Sequence, residues 1–102
     1  MKVFKENENF NVTGTSGSGY IKATYNQLVE ALGEPTYNTP SGDNKVQKEW
    51  VVEFEGNIFT IYDWKTFDVD YTMNELDEFN VGSKVPANKF ISALQEKINK
   101  NI

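Results

Sequence analysis

Apolar residues near the start of the chain recur with the period of an α-helix. Four of them share one helix face: Tyr25, Leu28, Val29 and Leu32. Thr24 is a favourable N-cap residue, and Gln27 three positions later completes a capping box. Gly33 and Pro35 end the pattern, because one suits a C-cap and the other cannot continue a helix. The sequence predicts a helix over about 25–32.

A second helical period lies near the C-terminus, after Pro86. Its apolar positions are Ala87, Phe90, Ile91, Leu94 and Ile98. Lys97 and Lys100 fall in the last turns, where the helix dipole favours positive charge. We predict a helix over about 87–99.

Between these helices, alternation with a period of two predicts a β-hairpin over about 46–64. Gly56-Asn57 is typical of a two-residue hairpin turn, and this turn would place Glu49 opposite Trp64. One face of the hairpin is then apolar and consists of Trp50, Val52, Phe54, Phe59 and Ile61. The other face mixes carboxylates with large aromatic residues.

These elements predict one α+β domain over residues 1–102. Its antiparallel sheet is centred on the hairpin, and both amphipathic helices pack on the Trp50 face. The Gly/Ser-rich stretch at 13–19 is predicted to be a flexible loop.

Composition excludes several kinds of chemistry. The 102 residues include no cysteine, no histidine and no arginine, which removes disulfides, the usual general base and the bidentate guanidinium. The net charge of −5 disfavours direct binding of nucleic acid. The run from Asp68 begins like a calcium loop, but Met73 stands where glycine is needed. We therefore expect a non-catalytic protein without a metal or cofactor, and no apolar run is long enough for a membrane span.

Two groups of residues are candidates for binding. The first is centred on the second face of the hairpin and extends into nearby loops, and it includes Asp63, a carboxylate that is expected to point toward the core side at the end of its strand. Its residues are Tyr20, Lys45, Glu49, Tyr62, Asp63, Trp64 and Lys65. Aromatic rings beside lysines suit a planar ligand such as a small nucleotide, or the anchor of a protein partner. The alternative is a second packing layer, covered by the N-terminal residues.

The second group is acidic and follows the hairpin: Asp68, Asp70, Glu75, Asp77 and Glu78. Such a surface could imitate a nucleic acid and occupy a basic surface of another protein. An ordinary solvated loop is the alternative.

Four short motifs stand out between residues 19 and 65: Gly19-Tyr20-Ile21, Leu32-Gly33-Glu34-Pro35-Thr36, Glu49-Trp50 and Thr60-Ile61-Tyr62-Asp63-Trp64-Lys65. Over these residues the chain resembles a family of small, mostly uncharacterised bacteriophage accessory proteins. The His-Ile-Gly-Gly-like stretch that often follows in the family is replaced by Phe79-Asn80-Val81-Gly82-Ser83. At the level of fold, the chain is also similar to the helix-plus-sheet units of β-lactamase inhibitory proteins and outer-membrane assembly lipoproteins.

The phage resemblance implies an accessory protein in the host cytoplasm that inhibits a defence component. Blocking a host protein through the acidic surface is the favoured mechanism. Sequestration of a small nucleotide immune signal and a structural or assembly role in the virion are the alternatives. Assembly into a homo-oligomer stays open.

Overall fold

The computed structural model describes residues 1–12, 14–39, 42 and 45–100. The strands are β1 (Lys2–Val3), β2 (Ser16–Lys22), β3 (Glu49–Phe54), β4 (Asn57–Tyr62) and β5 (Glu78–Ser83). The helices are α1 (Tyr25–Leu32), α2 (Val69–Asn74) and α3 (Asn88–Lys100). Within these residues, the five strands form one antiparallel sheet in the order β1-β3-β4-β5-β2.

The hydrophobic core lies between one face of this sheet, here called the inner face, and the helices α1 and α3. The strands contribute Ile21, Trp50, Val52, Phe59, Ile61, Phe79 and Val81, and the helices contribute Tyr25, Leu28, Ala31, Phe90, Leu94 and Ile98. The rings of Phe59 and Phe90 stack at 4.3 Å between centroids. The α+β prediction is confirmed, and both predicted helices are present. The capping box at Thr24 is also formed, with reciprocal bonds between Thr24 and Gln27.

The hairpin is present, but its predicted turn is wrong by one position. Phe54 pairs with Asn57, so the turn residues are Glu55 and Gly56, with φ angles of 51° and 80°. Positive φ at both positions is the requirement of a type I′ turn. The cross-strand register therefore shifts by two residues, and Glu49 faces Tyr62 instead of Trp64. A shift by two keeps every side chain on its face, so the apolar face is the predicted one.

Two stretches that were expected to be loops contain regular secondary structure. The loop expected over 13–19 is a strand from Ser16 onward, because β2 pairs with β5 along the edge of the sheet. The strand approaches α3 closely there: a Cβ on Gly19 would lie 2.7 Å from the Cδ1 of Ile91, so the end of that side chain would have to move. The acidic loop contains α2, which Asp68 caps by accepting from the amides of Asp70 and Tyr71.

The N-terminal residues close the other edge of the sheet. β1 pairs with β3, and Phe4, which is buried, donates its backbone N–H to the oxygen of Val51 at 2.9 Å. The Thr36 hydroxyl donates to the Phe4 carbonyl and accepts from the Val51 amide. The ring of Phe10 lies 5.3 Å from that of Phe4. Among the described residues, no helix is long and apolar enough to cross a membrane.

Candidate functional site

A row of four side chains crosses the outer face, the sheet face turned away from α1 and α3. Tyr20 pairs with Asn80, Asn80 with Tyr62, and Tyr62 with Glu49, on β2, β5, β4 and β3 in turn. Directly opposed residues have Cβ atoms only about 4.5–5.5 Å apart, so neighbours in this row stand side by side. The sheet thus aligns two tyrosines, an amide and a carboxylate.

The neighbouring row of the outer face is made of small residues, which creates a hollow. Gly17 pairs with Gly82, and Gly82 pairs with Thr60. A Cβ on Gly82 would lie 2.7 Å from Thr60 Oγ1 and 3.5 Å from Cε1 of Tyr62, so glycine is needed for the floor. The hollow has a volume of about 250 Å³ and is lined by Thr15, Ser16, Val46, Glu49, Thr60, Tyr62, Trp64 and Gly82. Since ligand pockets usually span about 300–1,000 Å³, this one is small and accepts no more than one flat aromatic group or one side chain.

Trp64 forms one wall of the hollow and is 50% exposed. The Tyr62 ring meets it edge-on, with centroids 6.4 Å apart. The ammonium groups of Lys45 and Lys65 each lie 5.8 Å from the indole centroid. The predicted proximity of these lysines is confirmed, because the Lys65 amide donates to the Lys45 carbonyl at 2.7 Å. Two positive charges therefore lie beside the aromatic ring that forms one wall of the hollow, although neither lysine lines the hollow itself.

The pKa values of Glu49 and Tyr62 are both raised, because these side chains are partly shielded from water. Burial raises the pKa of Glu49, and the nearby carboxylate of Asp63 raises it further. The pKa of Tyr62 is raised by burial, then by Glu49 and Tyr20. In the described part of the chain, no donor is hydrogen-bonded to the Glu49 carboxylate. Glu49 is thus a partly desolvated acceptor at the hollow.

Asp63 corrects the predicted binding cluster, because it lies beneath the surface with an exposed fraction of 1%. Its carboxylate accepts from the amides of Gln47 and Lys48, at 2.9 and 2.8 Å. The hydroxyls of Thr66 and Thr72 also donate to it. These donors occupy both oxygens, so Asp63 ties α2 to the start of β3 and is not open to a ligand.

The acidic residues lie on or beside a segment that also exposes large apolar side chains. We call residues 67–77 the docking segment. Its exposed apolar residues are Phe67, Val69, Tyr71 and Met73, with Phe67 at 54% and Tyr71 at 47%. Asp70, Glu75 and Asp77 are exposed among them. No lysine occurs between Thr66 and Ser83, so the segment is uniformly acidic.

Two of the predicted acidic residues have local structural roles. Asp68 is exposed, yet one of its oxygens caps α2 by accepting from two backbone amides. Glu78 is on β5, directly opposite Lys22 of β2, so an opposite charge stands across the strands.

The structure adds Thr60, Asn80 and Gly82 to the predicted site. One sequence signal could have revealed them: a glycine inside a strand marks a close approach or a gap in the face. Tyr20 belongs to the predicted set, but it stands on β2 and is 62% exposed. It is two strands away from Tyr62, with Asn80 between them.

Comparison with known proteins leaves the chain without an assigned family: no protein-family description matches it, and neither a curated protein nor a solved structure is significantly similar.

Proposed function

We propose that this is a non-catalytic binding protein that docks through segment 67–77 on a basic surface of another protein and blocks it. The observation that carries the proposal is the docking segment itself, where exposed apolar side chains alternate with carboxylates and lysine is absent. Large apolar residues grouped on a surface are typical of interaction sites.

The charge of the segment specifies the partner. Apolar anchors such as Phe67 and Tyr71 supply buried area, while Asp70, Glu75 and Asp77 favour a positively charged surface. A nucleic-acid-binding surface of another protein would be such a partner, because it must be positively charged to bind phosphates. The resemblance to phage accessory proteins supports a partner from a host defence system, in the host cytoplasm.

The backbone conformation at the start of the docking segment also supports a role in binding. Lys65 and Phe67 both have left-handed φ angles, 57° and 56°, which bulky residues rarely adopt. Such a conformation persists only where surrounding structure enforces it, and here the Asp63–Thr66–Thr72 hydrogen bonds anchor the loop. A strained backbone next to the exposed rings of Phe67 and Tyr71 lowers stability, and this cost is more easily explained if the surface serves binding.

The test is an infection assay in cells that carry one defence system each: restriction, CRISPR or nucleotide signalling. We expect the protein to abolish protection by one system, and the combined variant Asp70→Asn, Glu75→Gln, Asp77→Asn to lose at least about tenfold of this effect, because several charge pairs disappear together. Asp68 is left intact because it caps α2. The variant Phe67→Ala, Tyr71→Ala should lose the effect as well.

The control changes the net charge equally but elsewhere, with Glu6→Gln, Glu53→Gln and Glu96→Gln, all exposed. Full activity is expected for this control. With the purified target, binding should weaken steeply between about 0.05 and 0.5 M salt, since exposed charges are screened over about 10 Å at 0.1 M. Equal loss in both charge variants would mean that net charge, and not the docking segment, is responsible.

A further inference from the structure

The hollow on the outer face brings together three kinds of chemistry that one ligand class satisfies. The rings of Tyr62 and Trp64 line it and offer apolar surface to a planar group. The ammonium groups of Lys45 and Lys65 each lie 5.8 Å from the centroid of the Trp64 indole ring, which forms one wall of the hollow. The Glu49 carboxylate lies among its lining residues. A ring with N–H donors and an attached anion would meet all three.

The carboxylate decides which ring fits best. A carboxylate accepts hydrogen bonds through two oxygens and donates none when it is ionised. Guanine presents two adjacent donors, its ring N–H and its exocyclic amine, so both oxygens of Glu49 gain a partner. Adenine places a ring acceptor beside its amine, and that acceptor would face a carboxylate oxygen unfavourably. A partly desolvated acceptor without a donor gains most from such a pair.

The two lysines indicate that the base carries an anionic group. Lys45 and Lys65 bring positive charge to the Trp64 ring, so an anionic group placed beside this ring is attracted to them. A phosphate next to the Trp64 ring would contact one or both ammonium groups. The small volume of the hollow, about 250 Å³, leaves the sugar and phosphate outside it, beside the Trp64 ring that both lysines approach.

We propose that the outer-face hollow binds a guanine nucleotide, with the base against Tyr62 and Trp64, Glu49 accepting from its N–H donors, and Lys45 and Lys65 contacting phosphate. The site uses residues outside the docking segment, so it stands or falls separately from the proposed function.

Isothermal titration of the full chain with 5′-GMP, 5′-AMP and inorganic phosphate tests the proposal. We expect saturable binding of GMP, at least tenfold weaker binding of AMP, and weaker binding still of phosphate. Trp64→Ala should weaken GMP binding about 5- to 150-fold, as the loss of one stacked base predicts. Glu49→Gln should weaken GMP binding about tenfold and strengthen AMP binding, because the carboxamide loses one acceptor and gains a donor that the adenine ring nitrogen can accept.

Tyr71→Ala is the matched control, since Tyr71 is an exposed aromatic residue on α2 outside the hollow. It should bind GMP as the wild type does. Circular dichroism of each variant ensures that only folded protein is compared. The proposal is overturned if GMP gives no saturable binding at millimolar concentration, if GMP and AMP bind equally, or if Glu49→Gln leaves their ratio unchanged.

Discussion

Three charged side chains near the open end of the hairpin are withdrawn from water, and each is accommodated differently. Asp63 accepts from backbone amides and hydroxyls, which replace the water it lost. Lys48 is also buried, and its ammonium group donates to the carbonyl and side-chain oxygens of Asn38. Glu49 has no such donor among the described residues. Because an unpaired carboxylate resists burial, the charge of Glu49 destabilises the folded state.

This difference predicts that Glu49→Gln is more stable than the wild type at neutral pH. A raised pKa means that the folded state holds the proton more tightly than the unfolded state. The wild type therefore loses stability as the pH rises through the raised pKa, whereas glutamine does not ionise. Melting temperatures between pH 3 and 8 should show a gain at pH 7 that disappears at low pH. Glu53→Gln, an exposed position on the same strand, is the control and should show no such trend.

At the scale of elements, the hairpin shows how a turn sets the register without changing the faces. The chain reverses at Glu55 and Gly56, both with positive φ. Gly56 accepts this conformation without a steric penalty, because it has no Cβ. Glu55 has a Cβ, so its positive φ carries a steric cost. The Glu55 carboxylate forms an exposed ion pair with Lys89 at 2.9 Å, which offsets little of this cost.

Substitution of this glycine tests the turn. A Cβ on Gly56 meets no atom within 4 Å, and the same is true of Gly17, so only the backbone angle distinguishes the two sites. We expect Gly56→Ala to lower the free energy of unfolding by about 1–2 kcal/mol, the cost of a left-handed alanine. Gly17→Ala should cost less than half as much. Urea denaturation of both variants measures this, and equal losses would contradict the observed turn.

At the scale of the molecule, the first 22 residues supply both edges of the sheet. β1 covers the edge of β3, and β2 pairs with β5 at the opposite edge. The predicted second packing layer is therefore partly realised: Phe4 is buried and Phe10 packs beside it near β3. The outer face around Tyr20 and Trp64 is left exposed.

The N-terminal segment should accordingly be part of the stable fold. We expect Phe4→Ala to lower the free energy of unfolding by about 3–5 kcal/mol, as for other buried phenylalanines. Val12→Ala changes an exposed apolar residue of the same segment and should cost little. Denaturation midpoints compare the two directly. A midpoint for Phe4→Ala close to that of Val12→Ala would show that this segment does not stabilise the sheet.

Features that depend on neighbours along the chain were predictable from the amino-acid sequence. The capping box and the Gly33–Pro35 stop define α1 as predicted, because caps act within one turn of helix. Alternation identified the apolar face of the hairpin, and that face survives any register shift of two residues. The residues of the exposed acidic segment and the proximity of Lys45 to Lys65 followed from the same local signals.

Tertiary structure alone decided what depends on partners distant in the chain. Residues 16–19 form a strand because β5 pairs with them. Most residues of α2 are weak helix formers, and the helix is held by the Asp68 cap and by the hydrogen bond that the Thr72 hydroxyl donates to Asp63. The outer-face row joins Tyr20, Glu49, Tyr62 and Asn80, which come from four strands. No local period encodes that row, because cross-strand contacts arise from sheet order and register.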